Sequence, residues 1–198
     1  MSPRSPAPAT DTRQRILDVS TELFREHGYS GTSIRDIADR LGMTKAALYY
    51  HFSCKDDVLS ALVAPTVEAI EAFIETAEQT PDADPVDLLR QFVLVLGRSA
   101  PMLATTLGDP VVMKTEAGRF RLLEKQARLV ALIAGPGADE TRRLRAAAAL
   151  GAIKSAMENL APICPTVEST HTVQRTVQQN VERHLDTIVA AAVGALQG

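Results

Sequence analysis

The sequence predicts an all-α protein. Apolar residues recur every three or four positions along most of the chain, and no segment alternates apolar and polar residues as a half-buried β-strand would. Glycine and proline stand between the periodic segments, where helices end. A hydrophobic content of 45% with 23% charged residues is typical of a globular chain that buries a core.

The first helix is predicted from about Thr12 to His27, after a proline- and serine-rich tail at residues 1–10 that we expect to be disordered. Gly28 follows it and suits a left-handed helix stop. This helix would support the next two and give a three-helix domain. Its inner face is formed by Ile16, Leu17, Ser20, Leu23 and Phe24.

A helix-turn-helix pattern occupies residues 32–55. Ser33 and Asp36 form the S-x-x-D version of a capping box at the start of its first helix. Gly42 directly follows that helix, and Thr44 is placed to cap the second. In such a motif the second helix enters the major groove, so the pattern predicts DNA binding.

The second helix of the motif has an inward and an outward side. Leu48 and Phe52 are its inward residues. Lys45 can contact a phosphate or a guanine, the tyrosine hydroxyls can donate to phosphate oxygens, and Lys55 adds a further phosphate contact. An ordinary helical hairpin with solvated polar residues is the alternative. The expected DNA-facing residues are Thr44, Lys45, Ala47, Tyr49, Tyr50 and His51.

The run TSIRDIADRLGMTKAALYYHFSCKDDVL, which begins at Thr32, resembles the signature of the TetR family of bacterial transcriptional regulators. The resemblance covers the first quarter of the chain, from Arg13 to Leu59. It implies an all-α homodimer with an N-terminal three-helix DNA-binding domain that contains the helix-turn-helix, residues 11–54. A C-terminal helical ligand-binding and dimerisation domain, residues 55–198, would follow it.

The resemblance also implies which side chains contact DNA. Two departures from the family pattern affect this surface. Ala46 and Ala47 stand where Gly, Pro, Ser or Thr are common, which removes a hydroxyl that could contact DNA, and Cys54 replaces a common Ser or Asn. The residues at family contact positions are Thr32, Ser33, Thr44, Lys45, Tyr49, Tyr50, His51 and Lys55.

A long fourth helix is predicted from Ser53, with Asp56 three residues on as its capping partner, to about Gln79. Pro65 removes one backbone hydrogen bond in its middle and should bend it. That bend has two interpretations, a hinge that links ligand to DNA and a static kink. Four glutamates at spacings of three and four are expected to face water: Glu68, Glu71, Glu75 and Glu78.

Four further helices and one short helical segment are expected in the rest of the chain. Proline- and glycine-containing loops separate them, such as TPDADP at 80–85 and GPG at 135–137. The expected ranges are 86–99, a short segment that begins at Pro101, 111–134, 139–160 and 167–196.

The last two long helices are the expected homodimer surface. Gly151 and several alanines make the first of them narrow enough for the close approach of a partner. The second carries an apolar stripe that a lone two-helix hairpin cannot fully bury. In the TetR family the corresponding pair forms a four-helix bundle across a two-fold axis, and packing within one chain is the alternative. A dimer is also useful because one recognition helix reads few base pairs.

A ligand pocket is expected among the fourth to eighth predicted helices. Flexible methionines and apolar aromatic side chains can adapt to an apolar ligand. Few polar residues are available there to orient a charged ligand. We therefore expect a small apolar effector, although most of these residues can equally be plain core. The expected lining is Val67, Ile70, Phe73, Phe92, Leu96, Met102, Met113, Phe120, Leu123 and Met157.

Charge and composition restrict the function classes. The net charge of -3 argues mildly against nucleic acid, but residues 1–60 carry equal numbers of acidic and basic residues, and a duplex binder needs only a local basic edge. No apolar run is long enough for a bilayer and no secretion signal is recognisable, so we expect a cytoplasmic protein without a membrane partner. Two distant cysteines and scattered histidines predict no cofactor and no metal site.

The leading hypothesis is a ligand-responsive repressor that binds a palindromic double-stranded DNA operator as a dimer. A transcriptional activator, or a regulator without a small ligand, is the first alternative. A helical enzyme or a protein–protein adaptor is the second. No G-x-S-x-G, H-E-x-x-H or glycine-rich phosphate loop is present, so we expect no enzymatic activity.

Overall fold

The computed structural model describes the backbone of residues 9–80, 82–106, 116–160 and 170–197, and side chains within 11–80, 82–98, 124–160 and 175–197. In these ranges the chain forms eight helices and no strand, which confirms the all-α prediction. The helices are α1 (Ala9–His27), α2 (Ile34–Leu41), α3 (Lys45–His51), α4 (Lys55–Glu78), α5 (Pro85–Thr106), α6 (Glu116–Ala134), α7 (Glu140–Leu160) and α8 (Thr170–Gln197).

Some helix boundaries differ from the predicted ones. α1 begins at Ala9, and the rest of the expected tail, residues 1–8, lies outside the described residues. α5 continues through Pro101, so the predicted break there is wrong. A proline removes one helical hydrogen bond, and packing of α5 against α8 outweighs that local loss. The expected starts of the last helices at 111 and 167 also lie outside the described residues.

The chain divides into two compact units, Met1–Leu62 and Val63–Gly198, and the division falls inside α4. α4 is assigned as one helix through Pro65. The hinge role of that proline and a domain boundary at residues 54 and 55 stay predictions. None of the helices within the described ranges is long and apolar enough to cross a membrane.

The first unit has its core where α1, α2, α3 and the first turns of α4 meet. Ile16, Ile37 and Leu48 are fully buried in it. Ala38 is also buried, and its small side chain permits α2 to pack closely. The predicted inner face of α1 is confirmed, since all five of its residues are buried: Ile16, Leu17, Ser20, Leu23 and Phe24.

Local capping signals set the ends of α2 and α3 as predicted. The Ser33 hydroxyl accepts from the Asp36 N–H at 3.2 Å, and the Asp36 carboxylate accepts from the Ser33 N–H at 2.7 Å. Gly42 ends α2 with a φ of 64°, in the left-handed region that favours glycine. The Thr44 hydroxyl accepts from the Ala47 N–H at 3.2 Å and starts α3.

Replacement of Ser33 by alanine is expected to lower the free energy of unfolding by about 1 kcal/mol at neutral pH, the usual loss for an N-cap. Hydrogen bonds from Ser33 hold the pKa of the Asp36 carboxyl below its ordinary value of 3.8. A carboxyl with a lowered folded-state pKa adds stability that is complete above its unfolded pKa and is lost as the pH falls through the folded pKa. The deficit of Ser33→Ala should therefore shrink below pH 3.8.

Urea denaturation followed by circular dichroism at pH 7 and pH 3 measures this deficit. Ser53→Ala is the matched control, because the backbone N–H of Ser53, and not its side chain, donates to Asp57. A Ser33→Ala deficit of the same size at both pH values would contradict the coupling to Asp36.

The second unit has its core between α5, α7 and α8, with α4 and α6 contributing apolar residues to it. α5 and α8 approach closely at Gly97. A Cβ atom built on Gly97 would lie 2.8 Å from Cγ1 of Val181, a buried residue of α8. The lack of a side chain at this position is therefore what permits these two helices to pack.

Ion pairs link α4 to α6 in the second unit. The Glu71 carboxylate accepts from both Lys125 and Arg128, and Arg128 also donates to Glu78 at 2.8 and 3.0 Å. The hydrogen bonds from Arg128 lower the pKa of the Glu78 carboxyl. The expectation that all four glutamates of α4 face water is wrong for Glu71, whose side chain is 29% exposed. Its partners come from a helix far along the chain.

Candidate nucleic-acid interface

α3 buries one residue in the core of the first unit and exposes most of its other residues to solvent. Leu48 is fully buried, whereas the side chains of Lys45 and Ala47 are exposed. Tyr49 is 50% exposed and Tyr50 is 84% exposed. This division agrees with the inward and outward sides that helical periodicity predicts.

The polar groups at the two ends of α3 are also accessible. Thr44 is exposed, and its hydroxyl uses only a lone pair in the cap, so its hydrogen is available to a phosphate oxygen. At the other end the half-buried His51 ring meets the ring of Tyr50 edge-on, with centroids 5.3 Å apart. Ser33 is exposed at the start of α2, where its hydroxyl also donates to the Asp36 carboxylate at 2.7 Å.

Two of the predicted contact residues lie elsewhere. Thr32 is only 2% exposed, and its hydroxyl oxygen lies 2.9 Å from the Gly28 carbonyl oxygen. The Lys55 ammonium donates to the carbonyls of Tyr29 and Thr32 at 2.8 and 2.9 Å. Both side chains are thus engaged with the α1–α2 turn, residues 28–33. Their contacts with DNA stay predictions.

Sequence reasoning missed a contact between Tyr29 and the start of α4. The Tyr29 hydroxyl donates to the Asp56 carboxylate. The Ser53 N–H donates to Asp57 at 3.0 Å, so the predicted pairing of Ser53 with Asp56 is wrong. No local pattern marks the Tyr29 contact, because its two residues lie 27 positions apart.

Arg13 is a second residue whose place was not predicted. Its guanidinium lies 4.7 Å from the centroid of the Phe52 ring, at the C-cap of α3. This is a cation–π geometry, and it joins α1 to the end of the helix-turn-helix. The contact brings a positive charge close to the exit of α3.

The predicted ligand-lining residues that the structure describes are all buried apolar side chains. The rings of Phe73 and Phe92 pack with centroids 5.7 Å apart. Met113 lies outside the described residues, as do the side chains of Met102, Phe120 and Leu123. A ligand role for this set stays a prediction. The described members are Val67, Ile70, Phe73, Phe92, Leu96 and Met157.

Comparison with known proteins places the helix-turn-helix in a family. Residues 16–62 match the family described as bacterial regulatory proteins, tetR family. Residues 16–62 belong to the TetR family. The matched segment ends at Leu62, where the first compact unit of the fold also ends. The resemblance found in the sequence is therefore confirmed.

Two curated relatives are similar to this chain over less than half of their own length. The HTH-type transcriptional regulator AcrR of Shigella flexneri is 36% identical over 95 residues, which are 48% of this chain and 44% of the relative. A probable acrEF/envCD operon repressor of Escherichia coli strain K12 is 30% identical over 95 residues, 48% of this chain and 43% of the relative. The first relative is described as a transcriptional regulator and the second as a probable operon repressor.

A solved structure is similar over the whole chain. The crystal structure of Mycobacterium smegmatis AmtR has a TM-score of 0.61 at 25% sequence identity. The match covers 99% of this chain and 98% of that one. The all-α architecture with an N-terminal helix-turn-helix is thus that of known family members.

Proposed function

We propose that this chain is a ligand-released repressor. A dimer binds a palindromic DNA operator through α3 and blocks transcription until a small apolar effector binds. The observation that carries the proposal is the exposed face of α3, where Tyr49 and Tyr50 stand outward beside Lys45 while Leu48 anchors the helix. Large aromatic side chains this exposed on one short helix indicate a binding surface.

The chemistry of the face matches the edge of a DNA duplex. Lys45 supplies a cation for a phosphate or a guanine, and the tyrosine hydroxyls donate to phosphate oxygens. Ala47 offers a methyl group that can pack on the methyl of a thymine. The proposed contact set on this face is Ser33, Thr44, Lys45, Ala47, Tyr49, Tyr50 and His51.

Dimerisation through α7 and α8 is supported by the small residues that these helices expose. On each helix they recur at three- or four-residue spacing, as a close helix–helix contact requires. Two copies would place two recognition helices on half-sites about one helical turn, about 34 Å, apart. The exposed small residues are Ala148 and Gly151 of α7 and Thr187, Ala190, Ala191 and Gly194 of α8.

An apolar effector is supported by the side chains of the second unit, where Phe73 and Phe92 pack among buried aliphatic residues. Release from DNA requires that the effector bind one arrangement of the dimer more tightly than the other. The relative described as an operon repressor in Escherichia coli favours repression over activation.

Fluorescence anisotropy with the DNA that flanks the gene for this chain tests the proposal. We expect two protomers per site, a preference of about a thousandfold over unrelated duplex, and affinity that falls steeply with salt. If neither this DNA nor any duplex selected from a random pool is bound specifically, the DNA-binding function is wrong.

Lys45→Ala is expected to weaken operator binding about tenfold and to lower the slope of log affinity against log salt by about 0.9 per recognition helix. Removal of a phosphate contact releases one counterion fewer, which is why the slope changes. Arg90→Ala is the control, because it removes a positive charge that is 41% exposed from α5 in the second unit, on a helix outside the proposed DNA and dimer surfaces. Equal effects of the two variants would contradict a specific role for Lys45.

A further inference from the structure

We propose that Lys55 is a positioning residue for DNA recognition and not a phosphate ligand. Its ammonium donates hydrogen bonds to the segment that precedes α2, and Lys55 itself lies just after α3. The side chain therefore connects the beginning and the end of the helix-turn-helix. The inference rests on the proposed DNA-binding function, and it assigns to Lys55 a role different from the one that sequence resemblance implies.

The geometry of the ammonium carries this inference. Nζ of Lys55 donates to the Tyr29 carbonyl at 2.8 Å and to the Thr32 carbonyl at 2.9 Å. It also lies 4.1 Å from the centroid of the Tyr29 ring, a cation–π distance. Thr32 directly precedes Ser33, the N-cap of α2. The ammonium therefore fixes the backbone at the point where α2 begins.

The backbone of Lys55 lies directly after α3, at the start of α4. Only Ser53 and Cys54 separate Phe52, the C-cap of α3, from Lys55 at the start of α4. A second bond runs in parallel, since the Tyr29 hydroxyl donates to the carboxylate of Asp56. The entry to α2 and the exit from α3 are thus joined by adjacent contacts, and the angle at which α3 is presented depends on them.

A phosphate contact would require Lys55 to abandon these partners. An ammonium has three donors, and two of them already serve backbone carbonyls. If the ammonium moved to a phosphate, the part-buried carbonyls would lose these hydrogen bonds, and the cation–π contact with the Tyr29 ring would also be lost. Lys45 has no such partners among the described contacts and is exposed on α3, so the two lysines differ in what they offer to DNA.

The test compares Lys55→Met with Lys45→Met by anisotropy across a salt series. Methionine removes the charge while it retains an unbranched side chain. Both variants are measured at a temperature where circular dichroism shows each fully folded. We expect Lys55→Met to bind about tenfold more weakly with the salt slope of the wild type, whereas Lys45→Met should lower the slope by about 0.9 per recognition helix.

Each other outcome has a distinct meaning. A slope that falls in Lys55→Met as in Lys45→Met would show a phosphate contact and overturn the inference alone. Unchanged affinity of folded Lys55→Met would reduce its role to stability and also overturn it. Absence of specific binding by the wild-type protein would overturn the proposed function, and the positioning role with it.

Lysine acetylation of the wild-type protein, read by mass spectrometry with and without operator DNA, tests the inference even if Lys55→Met does not fold. Lys45 should react quickly in the free protein and become protected by DNA. Lys55 should react slowly in both states, because its ammonium is held by the two carbonyls. Rapid reaction of Lys55 in free protein, followed by protection on DNA, would overturn the inference.

Discussion

Leu48→Ala is expected to lower the free energy of unfolding of the first unit by about 2–5 kcal/mol, the usual loss when a buried leucine is truncated. Leu48 is fully buried and is the buried anchor of α3, a helix of seven residues. A helix this short has little stability of its own and depends on tertiary packing. Since the unit ends at Leu62 and small units are only marginally stable, this loss should largely unfold α1, α2 and α3.

Amide hydrogen exchange read helix by helix measures this loss, because the two units need not unfold in a single transition. Exchange should accelerate throughout the first unit and operator binding should disappear. Tyr50→Ala is the matched control on the same helix: its side chain is 84% exposed, so stability should change by about 0.5 kcal/mol or less while DNA affinity falls. If amide exchange in the first unit of Leu48→Ala were as slow as in the wild-type protein, the role of Leu48 in the core of this unit would be contradicted.

Features set by neighbours in the sequence were predicted well. The Ser33–Asp36 capping box, the Gly42 stop and the Thr44 cap each depend on residues within four positions of one another. The helix stop at Gly135 also depends on local backbone conformation, with a φ of 80°. Such signals can be read directly from the chain because the atoms that interact are close in sequence.

Features set by tertiary packing were not predictable in this way. Asp56 looked like a capping partner of Ser53, but it accepts from Tyr29, which lies 27 positions away. Glu71 looked like a solvated residue of an outer face, but Lys125 and Arg128 of α6 pair with it. Pro101 looked like a helix break, yet α5 continues through it. In each case the deciding partner lies on a distant segment.

The candidate site shows the same division between local and distant causes. Helical periodicity was sufficient to place Tyr49 and Tyr50 outward and Leu48 inward, because one short helix determines all three directions. Resemblance assigned Thr32 to the DNA surface, and both resemblance and the positive charge of its side chain assigned Lys55 to it. Only the fold shows that the side chains of both residues bind backbone carbonyls of the α1–α2 turn.

Gly97→Leu is expected to lower the free energy of unfolding of the second unit by about 3 kcal/mol, at the upper end of the usual loss for overpacking. Gly97 is buried between α5 and α8, and even a single added Cβ would lie 2.8 Å from Cγ1 and 3.1 Å from Cβ of Val181. Val181 is branched at Cβ and 1% exposed, so it has no alternative position to occupy. The two helices must separate, and the contacts between them are lost.

Gln91→Leu is the control for Gly97→Leu, because it places the same side chain at an exposed position of the same helix and should change stability by about 0.5 kcal/mol or less. Thermal unfolding should show a midpoint lower by about 6–12 °C for Gly97→Leu. Hydrogen exchange should accelerate in α5 and α8 and remain unchanged in α1, α2 and α3, the reverse of the Leu48→Ala pattern. Equal midpoints for the two leucine variants would contradict the close approach at Gly97. If Gly97→Leu instead accelerated hydrogen exchange in all helices, the two units would unfold together. The loss of a contact within the second unit would then also destabilise the first unit.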